Sequence, residues 1–202
     1  MNWDWFKTFS KENPKFWENY LSSFETPLND ETKYIVFDCE TTGLNVETDR
    51  ILSIGAISIE NNQIVVSDFM EVFLQQDVFN SDSVEYHGIL KEGKEEKFVE
   101  AEAIIRFLKF AKNATLVGHH INFDIEMINE ALNRLNLGTL KNQYMDIGLM
   151  HQKLIDEISE ENISLDELCK IYKIKKNGRH TASGDAYITA LLFLKLKKRL
   201  NI

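Results

Sequence analysis

Asp38 and Glu40 close the apolar run Tyr34-Ile35-Val36-Phe37 with a single residue, Cys39, between them. Side chains alternate along a strand, so both carboxylates project from one face while Cys39 points to the other, into the core. Two carboxylates held side by side repel unless something neutralises them, and a divalent cation does so with oxygen ligands. The turn Thr41-Thr42-Gly43-Leu44 follows and offers a substrate backbone amides and an apolar tip. A third acid, Asp124, lies in GHHINFDIEMIN, where a buried strand gives way to a helix; an acid there also suits the helix dipole without any function. His180 and Asp185, in GRHTASGDA, are five residues apart. Five helical residues turn the chain by about 140°, so the pair reaches one site only if His180 lies on the loop before a helix that carries Asp185. The set is thus four acids, each at a strand end or a helix start, and one histidine after a glycine-containing loop.

The elements that must position these groups follow from periodicity. YIVFD at 34–38, ILSIGAISIE at 51–60 and QIVVSDFMEVFL at 63–74 read as strands, with Asn61-Asn62 as the hairpin turn between the last two. SDSVEYHGI forms a short helix, and EKFVEAEAIIRFLKFAK carries a helical stripe at Phe98, Ala101, Ile104, Ile105 and Leu108. ATLVGH at 114–119 is a buried strand, and FDIEMINEALNRL is a helix with Asn122 as its expected N-cap. Helices follow around 146–157 and 164–172, and a long one runs from Ala182 to Leu200. Three antiparallel strands and then alternating helices and strands predict an α/β fold, a mixed sheet flanked by helices.

This ordered set resembles the DEDDh group of 3′→5′ exonucleases, the DnaQ-like family that includes the proofreading epsilon subunit of bacterial DNA polymerase III. Asp38 and Glu40 in FDCETTGL match its first motif, Asp124 in GHHINFD its second, and His180 with Asp185 its third. YHGI at 86–89, Asp146 in YMDIGLM and Leu165–Leu168 also fall where the family places supporting residues. The resemblance runs from about Tyr34 to Ala190 and departs at His120, where the family commonly has asparagine. It implies an RNase H-like fold and hydrolysis of phosphodiesters with two Mg²⁺ or Mn²⁺ ions, hard cations that suit an all-oxygen ligand set. It further implies that Asp38 bridges both ions and that Glu40 and Asp185 hold the ion binding the attacking water. Asp124 would complete the other shell through water, with His180 as general base. Thr41, Gly43 and Leu44 would then meet the terminal nucleotide, with His87 in the same cleft. Phe123 either stacks a base or packs behind the catalytic helix. The expected substrate is the 3′ end of single-stranded or frayed DNA, and the product a nucleoside 5′-monophosphate. RNA, or a short oligonucleotide, is the alternative that the motifs leave open, and a non-catalytic nucleic-acid-binding module is the alternative of another class.

Composition sets the remaining bounds. The 202 residues include 32 acidic and 23 basic side chains, a net charge of −9, and 44% are hydrophobic. The charge is polarised: residues 168–202 carry a net +8, and residues 1–167 a net −17. A net-acidic chain does not suit a grip on long duplex backbone, but bound cations would still admit a short strand end. Lys170, Lys173, Lys175, Lys176 and Arg179 lead into His180 and either guide that strand or solvate a helix face. There is no apolar run of membrane-spanning length, charges interrupt the N-terminus, and Cys39 and Cys169 read as reduced thiols, so a cytoplasmic location is expected. Residues 1–30 are expected to form an aromatic helical extension containing Trp3, Trp5 and Trp17, and residues 31–202 the domain that the resemblance identifies as an exonuclease. Its aromatic face either docks on that domain or binds a protein partner.

Overall fold

The computed structural model describes residues 13–25, 33–78, 80–90, 93–156 and 163–202. Helix α1 (Lys15–Ser22) precedes the strands β1 (Tyr34–Thr41), β2 (Ile51–Glu60) and β3 (Gln63–Leu74). Then come α2 (Ser81–His87), β4 (Lys97–Phe98), α3 (Glu100–Ala111), β5 (Thr115–Gly118), α4 (Ile121–Arg134) and β6 (Tyr144–Asp146). The last elements are α5 (Ile147–Ile155), α6 (Leu165–Tyr172) and α7 (Ala182–Leu200). The strands form one mixed sheet in the order β4-β3-β2-β1-β5-β6. Strands β1, β2 and β3 are antiparallel, while β4, β5 and β6 join in parallel. Asn61 and Asn62 both have positive φ, 51° and 59°, which is the twist a two-residue hairpin turn needs.

The pleat of β1 sorts its residues between two cores. Ile35, Phe37 and Cys39 join the layer built with α1, α3 and α4, whereas Val36 joins the layer under α5, α6 and α7. Alternation therefore places Asp38 and Glu40 on the α7 side of the sheet. Gly55 of β2 pairs with Asp38. A Cβ on Gly55 would lie 2.2 Å from the Ala182 carbonyl carbon and the Ser183 nitrogen, so only glycine lets the first turn of α7 cross the sheet here. That approach carries Asp185, three residues on, to the two carboxylates of β1.

Two expectations change. Lys97 and Phe98 are not helical but pair in parallel with Phe73 and Leu74, and α3 starts only at Glu100. The N-cap of α4 is His120 and not Asn122. In the N-terminal segment, Trp17 and Tyr20 are each 3% exposed and stack at 5.0 Å within the main core. The Tyr20 hydroxyl donates to Asn142 Oδ1 (2.7 Å) and accepts from the Lys141 N–H (2.8 Å), tying α1 to the loop before β6. Trp3, Trp5, Phe6 and Phe9 lie outside the described residues.

Candidate active site

Asp38, Glu40 and Asp185 each offer a carboxylate oxygen, and these three atoms lie within 4.8 Å of one another. Asp124 joins them from α4. Its Oδ1 accepts the Cys39 backbone N–H at 2.9 Å, which pins the helix to β1 between the two strand acids. Burial, and then the charges of Asp124, Asp185 and Glu40, hold the Asp38 carboxyl well above the usual carboxylate range. Burial, with Asp185 beside it, lifts Glu40 to about 7, against a lowering pull from Arg179. Burial likewise lifts Asp124 to about 7, although the Cys39 N–H works to lower it. Three acids pushed toward protonation in one place, with Asp185 beside them, are an unfavourable arrangement that a cation relieves.

The third motif forms as expected, with His180 on the turn before α7 and Asp185 in its first turn. Gly178 (φ 78°) and His180 (φ 63°) are left-handed, and the Thr181 side chain caps the helix by accepting from the Gly184 N–H at 3.1 Å. The His180 side chain is exposed, while its backbone N–H donates to Asp185 Oδ2 at 3.3 Å. Asp185 Oδ1 is buried and has no partner among the described residues.

A single carboxylate positions the second motif. Asp146 Oδ1 accepts the Gly148 and Leu149 N–H groups at the start of α5 (2.7 and 3.2 Å). Its Oδ2 accepts the Ile121 N–H that opens α4, at 3.0 Å. The departure at His120 also acquires a physical reason. His120 is left-handed (φ 55°, ψ 38°), a conformation that asparagine and histidine enter more readily than most residues. Its neighbour His119 places Nε2 2.8 Å from the Ile163 carbonyl.

Beside the carboxylates opens a cavity of about 510 Å³ lined by Glu40, Thr41, Gly43, Leu44, Asn80, Ser83 and His87. Four of the five expected substrate contacts thus share one wall. Leu44 stands 85% exposed at this cavity. The loop below it is braced: Asp49 accepts from the Thr42 hydroxyl (2.7 Å) and the Asn45 N–H (2.9 Å), and the Asn80 amide donates to the Thr42 carbonyl (3.0 Å). A Cβ on Gly43 would meet the Asp49 carboxylate at 2.5 Å, so the glycine admits the brace. The Ile89 N–H donates to His87 Nδ1 at 3.0 Å, which leaves the neutral ring's proton on Nε2, a buried donor without a partner among the described residues. Phe123 is not in this cavity. It packs partly against the main core and borders a separate cleft of about 280 Å³ with His120, Asp146 and Leu149.

Comparison with known proteins decides the family. The RNase_T model, described as Exonuclease, matches residues 35–193 and so spans all three motifs. The chain belongs to this exonuclease family. The DnaQ-like exonuclease is 33% identical over 178 residues to the DNA polymerase III PolC-type of Caldanaerobacter subterraneus. That alignment covers 88% of the chain but only 12% of the polymerase. It is 26% identical over 166 residues to the DNA polymerase III subunit epsilon of Treponema pallidum, covering 82% of the chain and 77% of that subunit. The exonuclease fold is shared with a complex of E. coli ExoI and single-stranded DNA (TM-score 0.72, 18% identity), over 85% of this chain and 42% of the other. It is shared also with Exonuclease X in complex with 5′ overhanging duplex DNA (TM-score 0.65, 20% identity), over 84% and 93%. Among the described residues, no helix is long and apolar enough to cross a membrane.

For three positioning residues the sequence does not show the role. Gly55 was one glycine in an apolar strand, although glycine there can mark close backbone approach. Asp146 matched the family pattern without showing that it serves two helices. Arg179 stood among lysines and turns out to point inward.

Proposed function

We propose that the chain is a metal-dependent 3′→5′ exonuclease acting on single-stranded or frayed DNA ends and releasing nucleoside 5′-monophosphates. One observation carries the reading: three carboxylate oxygens lie within 4.8 Å, with Asp185 Oδ1 buried and unpartnered among the described residues, beside a cavity of about 510 Å³. An orphaned buried oxygen among raised carboxylates fits a hard divalent cation. Asp38, Glu40 and Asp185 would hold Mg²⁺ or Mn²⁺, with Asp124 adjacent. Two bound ions would supply an activated water and charge stabilisation for the departing 3′-oxygen.

The chain's own residues supply the rest. His180 accepts the proton of the attacking water from its exposed position on the turn. Leu44 stacks on the terminal base, and the Thr41–Gly43 backbone is held rigid for the sugar by Asp49. His87 donates from Nε2 to a substrate oxygen, which would satisfy its orphaned proton. Phe123 packs partly against the core and borders the neighbouring cleft, outside the cavity assigned here to the terminal nucleotide. Resemblance to part of PolC-type polymerases supports a role in clearing mispaired 3′ ends.

The test uses 5′-labelled single-stranded DNA and RNA of matched sequence with Mn²⁺. The expected outcome is a ladder shortening from the 3′ end, faster on DNA, and absent in EDTA and in Asp38→Ala. Faster shortening of RNA would overturn the substrate assignment, and full activity of Asp38→Ala would overturn the site.

A further inference from the structure

Arg179 lies in the basic stretch ahead of His180, yet its guanidinium is turned into the site, with the side chain 20% exposed. Its Nε donates to Asp166 Oδ1 at 2.8 Å, and its Nη1 donates to Asp185 Oδ2. Asp166 is fixed in turn: it sits in the first turn of α6, behind the Ser164–Glu167 capping box, and Lys176 Nζ donates to its other oxygen at 2.8 Å. The His180 N–H also goes to Asp185 Oδ2. Both donors therefore occupy one oxygen of Asp185 and leave Oδ1 as the oxygen free to ligate.

We propose that Arg179 is a positioning residue for the cation site: by bridging Asp166 to Asp185 it holds Oδ2 and leaves Oδ1 oriented for the metal. This rests on reading the carboxylate cluster as a divalent-cation site. The geometry requires arginine. A guanidinium presents several donors in a fixed planar fork and can join two carboxylates at once, whereas a lysine ammonium is a point charge on a flexible stem. Groups that orient a metal ligand from behind commonly govern metal affinity by about 10–100-fold. The alternative role has the opposite sign. A guanidinium that merely neutralised the acids would compete with the incoming cation, and its removal would tighten metal binding.

The experiment is calorimetric titration of the EDTA-stripped full chain with Mn²⁺ alone, beside thermal melting of the metal-free protein. Arg179→Gln should bind Mn²⁺ about 10–100-fold more weakly, and Arg179→Lys should recover little of that. Asp166→Asn, at a half-exposed position, should weaken binding in the same direction but less, and should add nothing in the Arg179→Gln background because both act through one contact. Arg106→Gln removes a positive charge from an exposed pair with Glu102 and should leave affinity unchanged. Should Arg179→Gln fail to fold, Asp166→Asn decides the matter by its own affinity loss. Unchanged or tighter binding in a folded Arg179→Gln protein, or in Asp166→Asn in its place, overturns the proposal. Failure of the wild type to bind Mn²⁺ overturns the cation site, and the role of Arg179 with it.

Discussion

Glu40→Gln should stabilise the metal-free protein at alkaline pH. The Glu40 carboxyl rises from its ordinary 4.5 to about 7 because it is buried and faces Asp185. A folded-state pKa above the unfolded one means the native chain binds the extra proton between those values. Stability therefore falls as pH rises through this window, and the whole cost is present above about 7. Each pKa unit is worth about 1.4 kcal/mol, so ionising Glu40 in the folded chain costs up to about 3 kcal/mol. Glu40 keeps some solvent exposure, and screening makes that figure a ceiling. The neutral amide of glutamine escapes the cost. For a chain of this size about 3 kcal/mol corresponds to roughly 6–12 °C in Tm. The assay is thermal unfolding in EDTA at pH 8 and pH 4.5, and the gain at the lower pH should shrink to about 0.4 kcal/mol. With saturating Mn²⁺ the order reverses, because the variant has lost a ligand and the wild type gains binding energy. Equal melting of variant and wild type at pH 8 in EDTA, or a gain of the same size at both pH values, would rule out this cost of ionising Glu40.

The other two variants separate chemistry from packing. His180→Asn should lower turnover by about 10²–10⁴-fold with substrate affinity and Tm nearly unchanged, since asparagine tolerates the left-handed backbone at this position; single-turnover kinetics and melting measure both. Trp17→Ala should cost about 3–5 kcal/mol in denaturant unfolding, because the indole is buried against Tyr20 in the main core.

Local patterns in the sequence revealed whatever depends on short-range physics. The one-residue spacing of Asp38 and Glu40 in a strand forces a shared face, and Asn61-Asn62 tolerates the positive φ of a tight hairpin. The helical stripes of α3 and α4 follow from their cores. Strands β4 and β6, of two and three residues, are too short to show any period and exist only through their neighbours in the sheet. The N-cap of α4 is not legible locally, because the acceptor of the Ile121 N–H, Asp146, is 25 residues away. Arg179 reads as one more exposed cation until Asp166, 13 residues earlier, is brought beside it. Three cations of the α7 end do behave as surface groups: Lys195 donates to the Tyr172 carbonyl, Lys197 to Asn62, and Arg199 lies over the Tyr172 ring.

The most direct measurement is anomalous diffraction from crystals soaked in Mn²⁺. Anomalous density is expected within ligand distance of Asp38, Glu40 and Asp185, the last through Oδ1, and should be lost in Asp38→Ala. Manganese bound elsewhere on the chain, or density at the cluster that persists in Asp38→Ala, would overturn the assignment of these carboxylates as the cation site.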